Sequence, residues 1–171
     1  MARRRDLGGG AVVTGTMSSM VETVTGSGGL AAAAQLLHDF NLEYDEPSPP
    51  PEEMAGRLAE LIEQEQVVVL VARTEGEPVG VVAMRVQPSL WSQASEAYLA
   101  ELYVVPDRRG QGFGRELITE AMRVARERGA DYAFLITSED DRLAQRLYEA
   151  AGFRRTEGEG GPLMLAYEQD L

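Results

Sequence analysis

The chain has no cysteine and no lysine, and a single histidine among 171 residues. Without thiols there is no disulfide framework, no zinc–thiolate site and no cysteine nucleophile, and His38 alone supplies too few ligands for a metal cluster, so no metal is expected. The missing lysine also removes the residue that a Walker-type phosphate loop requires. No apolar run approaches the roughly 20 residues of a membrane span, and Ala11-Val12-Val13, behind a basic start, is too short for a signal-peptide core. These absences predict a cytoplasmic protein with no membrane partner, whose chemistry comes from carboxylates, hydroxyls, tyrosines and backbone groups.

What is present fits one ordinary domain: 171 residues, 44% of them apolar, can close a single core. Beyond residue 29 the chain carries 13 arginines against 26 acidic residues, a net of −13. Such a body repels nucleic acid and anionic lipid and attracts cations. Gly8-Gly9-Gly10 and the Ser/Thr-rich stretch behind it predict a disordered tail over residues 1–19, with Met17 or Met20 as alternative starts, followed by one domain over residues 20–171.

Periodicity and punctuation order that domain. A short strand is expected over residues 20–25, then, after Gly26-Ser27-Gly28-Gly29, a helix over 30–43 with Leu36, Leu37 and Phe40 on one stripe. The proline segment 47–51 is not helical, and a second helix follows over 52–64. The β-branched runs 67–72 and 79–86 flank Glu75-Gly76-Glu77-Pro78 and read as an antiparallel hairpin. Next come a strand over 96–105, a helix over 112–128 stopped by Gly129, a buried strand over 132–137 and a helix over 141–151 stopped by Gly152. Two closing strands are expected from Phe153 onward and over 163–167. The result is an α/β fold with a mixed central sheet of six to seven strands and about four helices.

The strand over 96–105 runs through Pro106-Asp107-Arg108 into Arg109-Gly110-Gln111-Gly112-Phe113-Gly114-Arg115 and directly into a helix. A glycine loop at a helix N-terminus is an anion site: first-turn amides lack partners, the dipole is positive there, and glycines let a phosphate approach the backbone. The spacing Gly110-x-Gly112-x-Gly114 departs from the G-x-G-x-x-G of dinucleotide binders. Taken alone, these glycines fit a tight strand-to-helix turn as well as a diphosphate cradle.

The longer string from Glu101 to Gly114 resembles motif A of the GNAT acetyltransferase superfamily, whose core Arg/Gln-x-x-Gly-x-Gly/Ala is met by Arg109, Gly112 and Gly114. Leu147-Tyr148-Glu149-Ala150-Ala151-Gly152-Phe153 resembles its motif B at the expected distance. The resemblance implies the GNAT fold and acetyl-CoA as cosubstrate. It also implies a bulged strand that splays from its parallel neighbour, with Leu102, Tyr103 and Val104 offering backbone groups to pantetheine and Arg109, Gly110, Gln111, Gly112, Phe113, Gly114 and Arg115 holding the diphosphate. Tyr148 matches the tyrosine that protonates the departing thiolate; outside the motif it would read as a half-buried helix tyrosine. Asp141 stands where the family often has a cofactor-bonding asparagine, and suits a helix N-cap equally well.

Residues 99–104 also look like the Leu-Glu-Asp/Glu-Leu-Tyr-Val pattern of diamine and thialysine acetyltransferases, but Ala100 replaces the first acid and a paired-carboxylate site does not carry over. Glu101 is the expected base for an ammonium acceptor, with an exposed strand glutamate as the alternative. Asp39, Glu43, Asp45 and Glu46, with Trp91 and Tyr98, are expected to bind the acceptor, or else to form a solvated acidic face. A weaker likeness in length and layout to the smaller GNAT aminoglycoside acetyltransferases makes a small cationic amine, aminoglycoside or polyamine-like, the expected acceptor. A protein N-terminus or lysine is the alternative acceptor, and a non-catalytic acyl-CoA sensor the alternative role. A homodimer is the expected assembly.

Overall fold

The computed structural model describes residues 19–171; apart from Ser19, the tail expected over 1–19 lies outside the described residues. In chain order the elements are β1 (Ser19–Thr23), α1 (Ser27–Glu43), α2 (Pro51–Glu63), β2 (Val68–Thr74), β3 (Glu77–Pro88), β4 (Ser95–Val104), a short 3-10 turn (Pro106–Arg108), α3 (Phe113–Glu127), β5 (Ala130–Leu135) and α4 (Arg142–Ala150). Among the described residues they form one five-stranded sheet in the order β1-β2-β3-β4-β5, antiparallel except for the parallel β4–β5 pair.

β2 and β3 are apolar on both faces because both faces are covered. On one side α3 lays Phe113, Leu117, Ile118, Ala121, Val124 and Ala125 against Val68, Leu70, Val82 and Met84. On the other, α1 and α2 bring Ala33, Leu36, Leu37 and Leu58 onto Val69, Val71, Val81 and Tyr103. Each fully buried aliphatic side chain stabilises the fold by roughly 1.5–3 kcal/mol, so truncating Leu117, with no exposed surface, to alanine should cost about 2–5 kcal/mol.

Local signals set most boundaries. Pro51 occupies the first helical position of α2 with Glu52 and Glu53 in its first turn, and Gly129 and Gly152 follow α3 and α4 with positive φ. α1 begins three residues before the expected Leu30, because Gly28 and Gly29 form its first turn instead of breaking the chain. A Cβ at Gly29 would stand 3.3 Å from Val24 Cγ1, so glycine lets the helix start close against the end of β1.

Two expectations are corrected. Among the described residues the sheet has five strands instead of six to seven, since residues 153–167 form no strand: their two arms share two backbone hydrogen bonds (Glu157 to Pro162, Met164 to Arg155) and one bridge, Thr156 to Leu163. Gly158 and Gly160 sit at positive φ and Pro162 has no amide, so the run between the two arms does not extend into a ladder. The strand expected to be buried over 132–137 is instead an edge strand over 130–135, with Tyr132 about half exposed, because no closing strand pairs along its outer side.

Candidate active site at the splay of β4 and β5

The site begins with one extra residue. In the β3–β4 ladder Ala83 pairs with Glu101 but Met84 pairs with Leu99, which leaves Ala100 as a bulge. The bulge reverses the side-chain phase of β4. Before it, Ala97 and Leu99 face α3; after it, Tyr103 faces α1 and α2. Glu101, two residues from Tyr103, shares that second face. Without the bulge its carboxylate would point into the α3 core.

Past the bulge β4 also parts from β5, because the parallel pairing ends at Leu99 and Leu135. The phase of the remaining ladder follows from the Val105 amide, which donates to the Val79 carbonyl at 3.0 Å. Alternation along an antiparallel pair then commits the backbone of Tyr103 and Glu101 to β3 and turns that of Leu102 and Val104 toward the open side. The Val104 carbonyl is already taken by Arg109 Nε at 2.8 Å. Of the three residues expected to present backbone groups, Leu102 has both free on the open side, Val104 its amide, and Tyr103 neither.

The glycine loop caps α3 with backbone alone. Gly110 and Gly112 have φ of 75° and 100°, the left-handed region that favours glycine, and no side chain caps the helix. The first backbone bond into α3 runs from the Glu116 amide to the Gly112 carbonyl, so the amides of Phe113, Gly114 and Arg115 lie ahead of the helical ladder. Phe113 anchors the turn in the core, and Gln111 Nε2 donates to the Asp107 carbonyl. Neither Arg108 nor Arg115 has an ion-pair partner among the described residues, so both leave positive charge beside the loop in an otherwise acidic domain. These features fit a diphosphate.

Arg109 does a different job from its neighbours. Besides its bond to Val104, its Nη2 reaches Glu43 Oε2 at 2.7 Å and its guanidinium lies 5.6 Å from the Tyr103 ring centroid. It therefore ties the loop and β4 to the end of α1, and its side chain is engaged by protein partners. The same contact holds Glu43 below the usual carboxylate range, chiefly through the hydrogen bond from Arg109.

α4 brings Tyr148 to this region. A Cβ at Gly114 would stand 3.0 Å from Leu147 Cδ2, so this glycine admits the side chain next to Tyr148 against the start of α3. Tyr148 packs edge-on to Phe153 at 6.1 Å, and its hydroxyl is pushed up to about 12, first by burial and then by the negative charges of Asp141 and Glu101 and by Tyr44. Motif B and Glu101 thus lie within electrostatic reach of each other. Asp141 Oδ1 accepts from the Ala144 amide at 2.9 Å, which is an N-cap bond.

A cavity of about 710 Å³ opens on the α1/α2 face of the bulge, with Ala100 and Glu101 in its wall. Leu37, Met54, Leu58 and Leu61 give it an apolar side, while Arg57, Glu65 and Arg85 add charge of both signs. Burial raises the Glu101 carboxyl above its ordinary range, against the opposing charge of Arg85. None of the six residues expected to bind the acceptor lines this cavity. Glu43 is engaged by Arg109, Asp39 accepts from Gln35, and Tyr98 stacks on Phe134 at 5.0 Å. Trp91 is 91% exposed on the β3–β4 loop, and Asp45 is also exposed, in the connector after α1. Glu46 lines a second cavity of about 670 Å³ with Tyr44, Thr137 and Glu168.

These six residues therefore stand away from the wall that carries Glu101, with Glu46 at the second cavity. Arg85 was overlooked, although it signals itself as the charged residue that interrupts the apolar run of β3.

In sequence and in fold the chain is similar to known acetyltransferases. The family model described as the acetyltransferase (GNAT) family matches residues 33–153. An uncharacterized N-acetyltransferase, YhfO of Bacillus subtilis, is 31% identical over 131 residues, spanning 75% of this chain and 85% of YhfO. A crystal structure from Arthrobacter sp. FB24, assigned to the acetyltransferases without a named substrate, superposes with a TM-score of 0.79 at 37% identity, over 89% of this chain and 96% of the other. The aminoglycoside N-acetyltransferase AAC(6')-Iy in complex with CoA shares the fold with a TM-score of 0.74 at 16% identity, over 94% of this chain and all of the other. Family model, relatives and fold agree: the chain belongs to the GNAT family of acetyltransferases.

Proposed function

We propose that the enzyme transfers an acetyl group from acetyl-CoA to the primary amine of a small acceptor, with Glu101 as the base and Tyr148 as the proton donor. The observation that carries this reading is the bulge at Ala100, which puts the Glu101 carboxylate into the cavity wall just where the β4 backbone opens. Acetyl-CoA supplies an activated thioester; the open backbone groups of Leu102 and Val104 and the free amides at the start of α3 are what this chain offers for holding it.

An aliphatic ammonium is almost fully protonated at neutral pH and cannot attack until a proton is removed. Burial makes Glu101 a stronger base than an ordinary carboxylate. At the other end, a phenol near 12 stays protonated at neutral pH, as a donor must, but it is a weak acid beside a thiol near 8.5. Burial and the Asp141 charge hold the Tyr148 phenol up more than Glu101 does; when Glu101 takes the ammonium proton its smaller share is lost, and the donor becomes slightly more acidic as the leaving thiolate forms.

For the acceptor, the acidic body of the domain supports a small cationic amine, and an aminoglycoside or polyamine-like molecule is the class that the sequence suggests. The test is thiol release from acetyl-CoA against aminoglycosides, polyamines, amino acids and peptides, with the product mass confirming one acetyl per amine. Turnover on at least one small amine supports the reading. Turnover confined to peptide N-termini or protein lysines would replace it, and acetyl-CoA binding without turnover on any amine would make the chain a sensor.

A further inference from the structure

We propose that the acceptor carries an acidic group as well as its amine, and that Arg85 binds that group while Glu101 meets the ammonium. This rests on the acetyl-transfer reading above and sets an amine with an acidic group in place of the polycation class named there.

Arg85 lies on β3 two residues beyond Ala83, the residue that pairs with Glu101, and both Arg85 and Glu101 line the 710 Å³ cavity. The bulge is what puts the two opposite charges on one face of neighbouring strands. They act on one another, since the Arg85 charge pulls against the raised Glu101 carboxyl, yet no ion pair joins them. Among the described residues Arg85 has neither an ion-pair partner nor a side-chain hydrogen bond, in a domain with twice as many acids as arginines.

For a polycation this arrangement is counterproductive, because Arg85 repels the substrate and weakens the base. For a molecule with an ammonium at one end and a carboxylate, or another oxyacid, near it, the arrangement is complementary: Glu101 takes the cation and the planar guanidinium takes two acid oxygens at once. Arg57, which also lines the cavity, is already paired with Glu60 at 3.2 Å, so Arg85 is the lining guanidinium without an ion-pair partner among the described residues. Met54, Leu58 and Leu61 give the cavity an apolar side that fits an apolar body beside the charged pair.

The test compares matched acceptors with the full chain and acetyl-CoA: leucine against 3-methylbutylamine, which lacks only the carboxylate, and spermidine as a polycation. A hydrogen-bonded charge contact is worth about 1.5–3 kcal/mol, so kcat/KM for leucine should exceed that for 3-methylbutylamine by roughly 10–100-fold. Arg85→Gln should cut that ratio at least about tenfold, with 3-methylbutylamine and spermidine gaining instead of losing, while acetyl-CoA affinity by calorimetry stays as in wild type. A wild-type preference for 3-methylbutylamine or spermidine, or an unchanged ratio in Arg85→Gln, would overturn the proposal and leave acetyl transfer standing. Acetyl-CoA binding with no thiol release from any of the three or from the wider amine panel would overturn both.

Discussion

The two sides of β4 offer different things to a ligand. On the side that opens past Leu99 and Leu135 there are mostly backbone groups: Leu102, Val104, and the amides at the start of α3. On the face toward α1 and α2 there are side chains: Glu101, Arg85, Arg57 and an apolar wall. A backbone surface suits what all its ligands share, which on the proposed reading is a diphosphate and an amide-bearing arm. A side-chain surface can change with a few substitutions and so sets which amine is accepted. The bulge at Ala100 couples the two, since the same extra residue frees the backbone and turns the carboxylate.

Substitutions on the two sides should have separable effects. The largest effect should come from Tyr148→Phe, which keeps the ring packing but removes the donor; turnover should fall about 10²–10⁴-fold with acetyl-CoA affinity nearly unchanged, as separated by steady-state kinetics and calorimetry. If turnover persists across pH, Tyr148 is a packing residue. Gly112→Val acts on the backbone side alone. A β-branched residue at φ near 100° is strained by about 1–3 kcal/mol, so acetyl-CoA affinity should fall roughly tenfold or more in a folded protein; unchanged affinity would take the loop out of the account.

Arg109→Ala should act on stability more than on chemistry. It removes the tie between Glu43 and Val104, at a cost of about 1–2 kcal/mol, or roughly 2–8 °C in Tm. Because Glu43 is held below its ordinary range, its contribution is complete above the unfolded carboxylate value near ~4.3 and is lost as pH falls through the lowered one. The stability gap between variant and wild type should therefore narrow in acid, which thermal melts across pH 3–7 would check.

Backbone features were the more legible in sequence. Gly110 and Gly112 announced a tight strand-to-helix turn, the apolar stripe of α3 announced its buried face, and the order of elements up to α4 follows from periodicity and stop signals. The splay and bulge came from resemblance to motif A, since no pattern within residues 96–105 distinguishes a bulged strand from a regular one. Side-chain placement was harder to read. Asp39, Glu43, Asp45 and Glu46 are near neighbours in sequence but none lines the cavity at the bulge, whereas Arg85 and Glu101 lie 16 positions apart and are brought to its wall by the β3–β4 register. The closing strands failed for a local reason, as Gly158, Gly160 and Pro162 interrupt a segment whose apolar residues alone looked like β-structure.

If the bulge delivers a working base to the acceptor cavity, the pH dependence of kcat/KM must differ between wild type and Glu101→Gln. Glutamine keeps the size and hydrogen bonding of Glu101 but removes its charge and basicity. Wild-type activity should fall as pH drops through the raised Glu101 value, because the protonated carboxyl no longer accepts a proton. Glu101→Gln should lose about 10²-fold at neutral pH, lack that acid limb, and recover part of the loss at high pH, where the free amine comes from solvent. A Glu101→Gln profile that matches wild type in both height and shape would contradict the account and leave the base to be found elsewhere in the cavity.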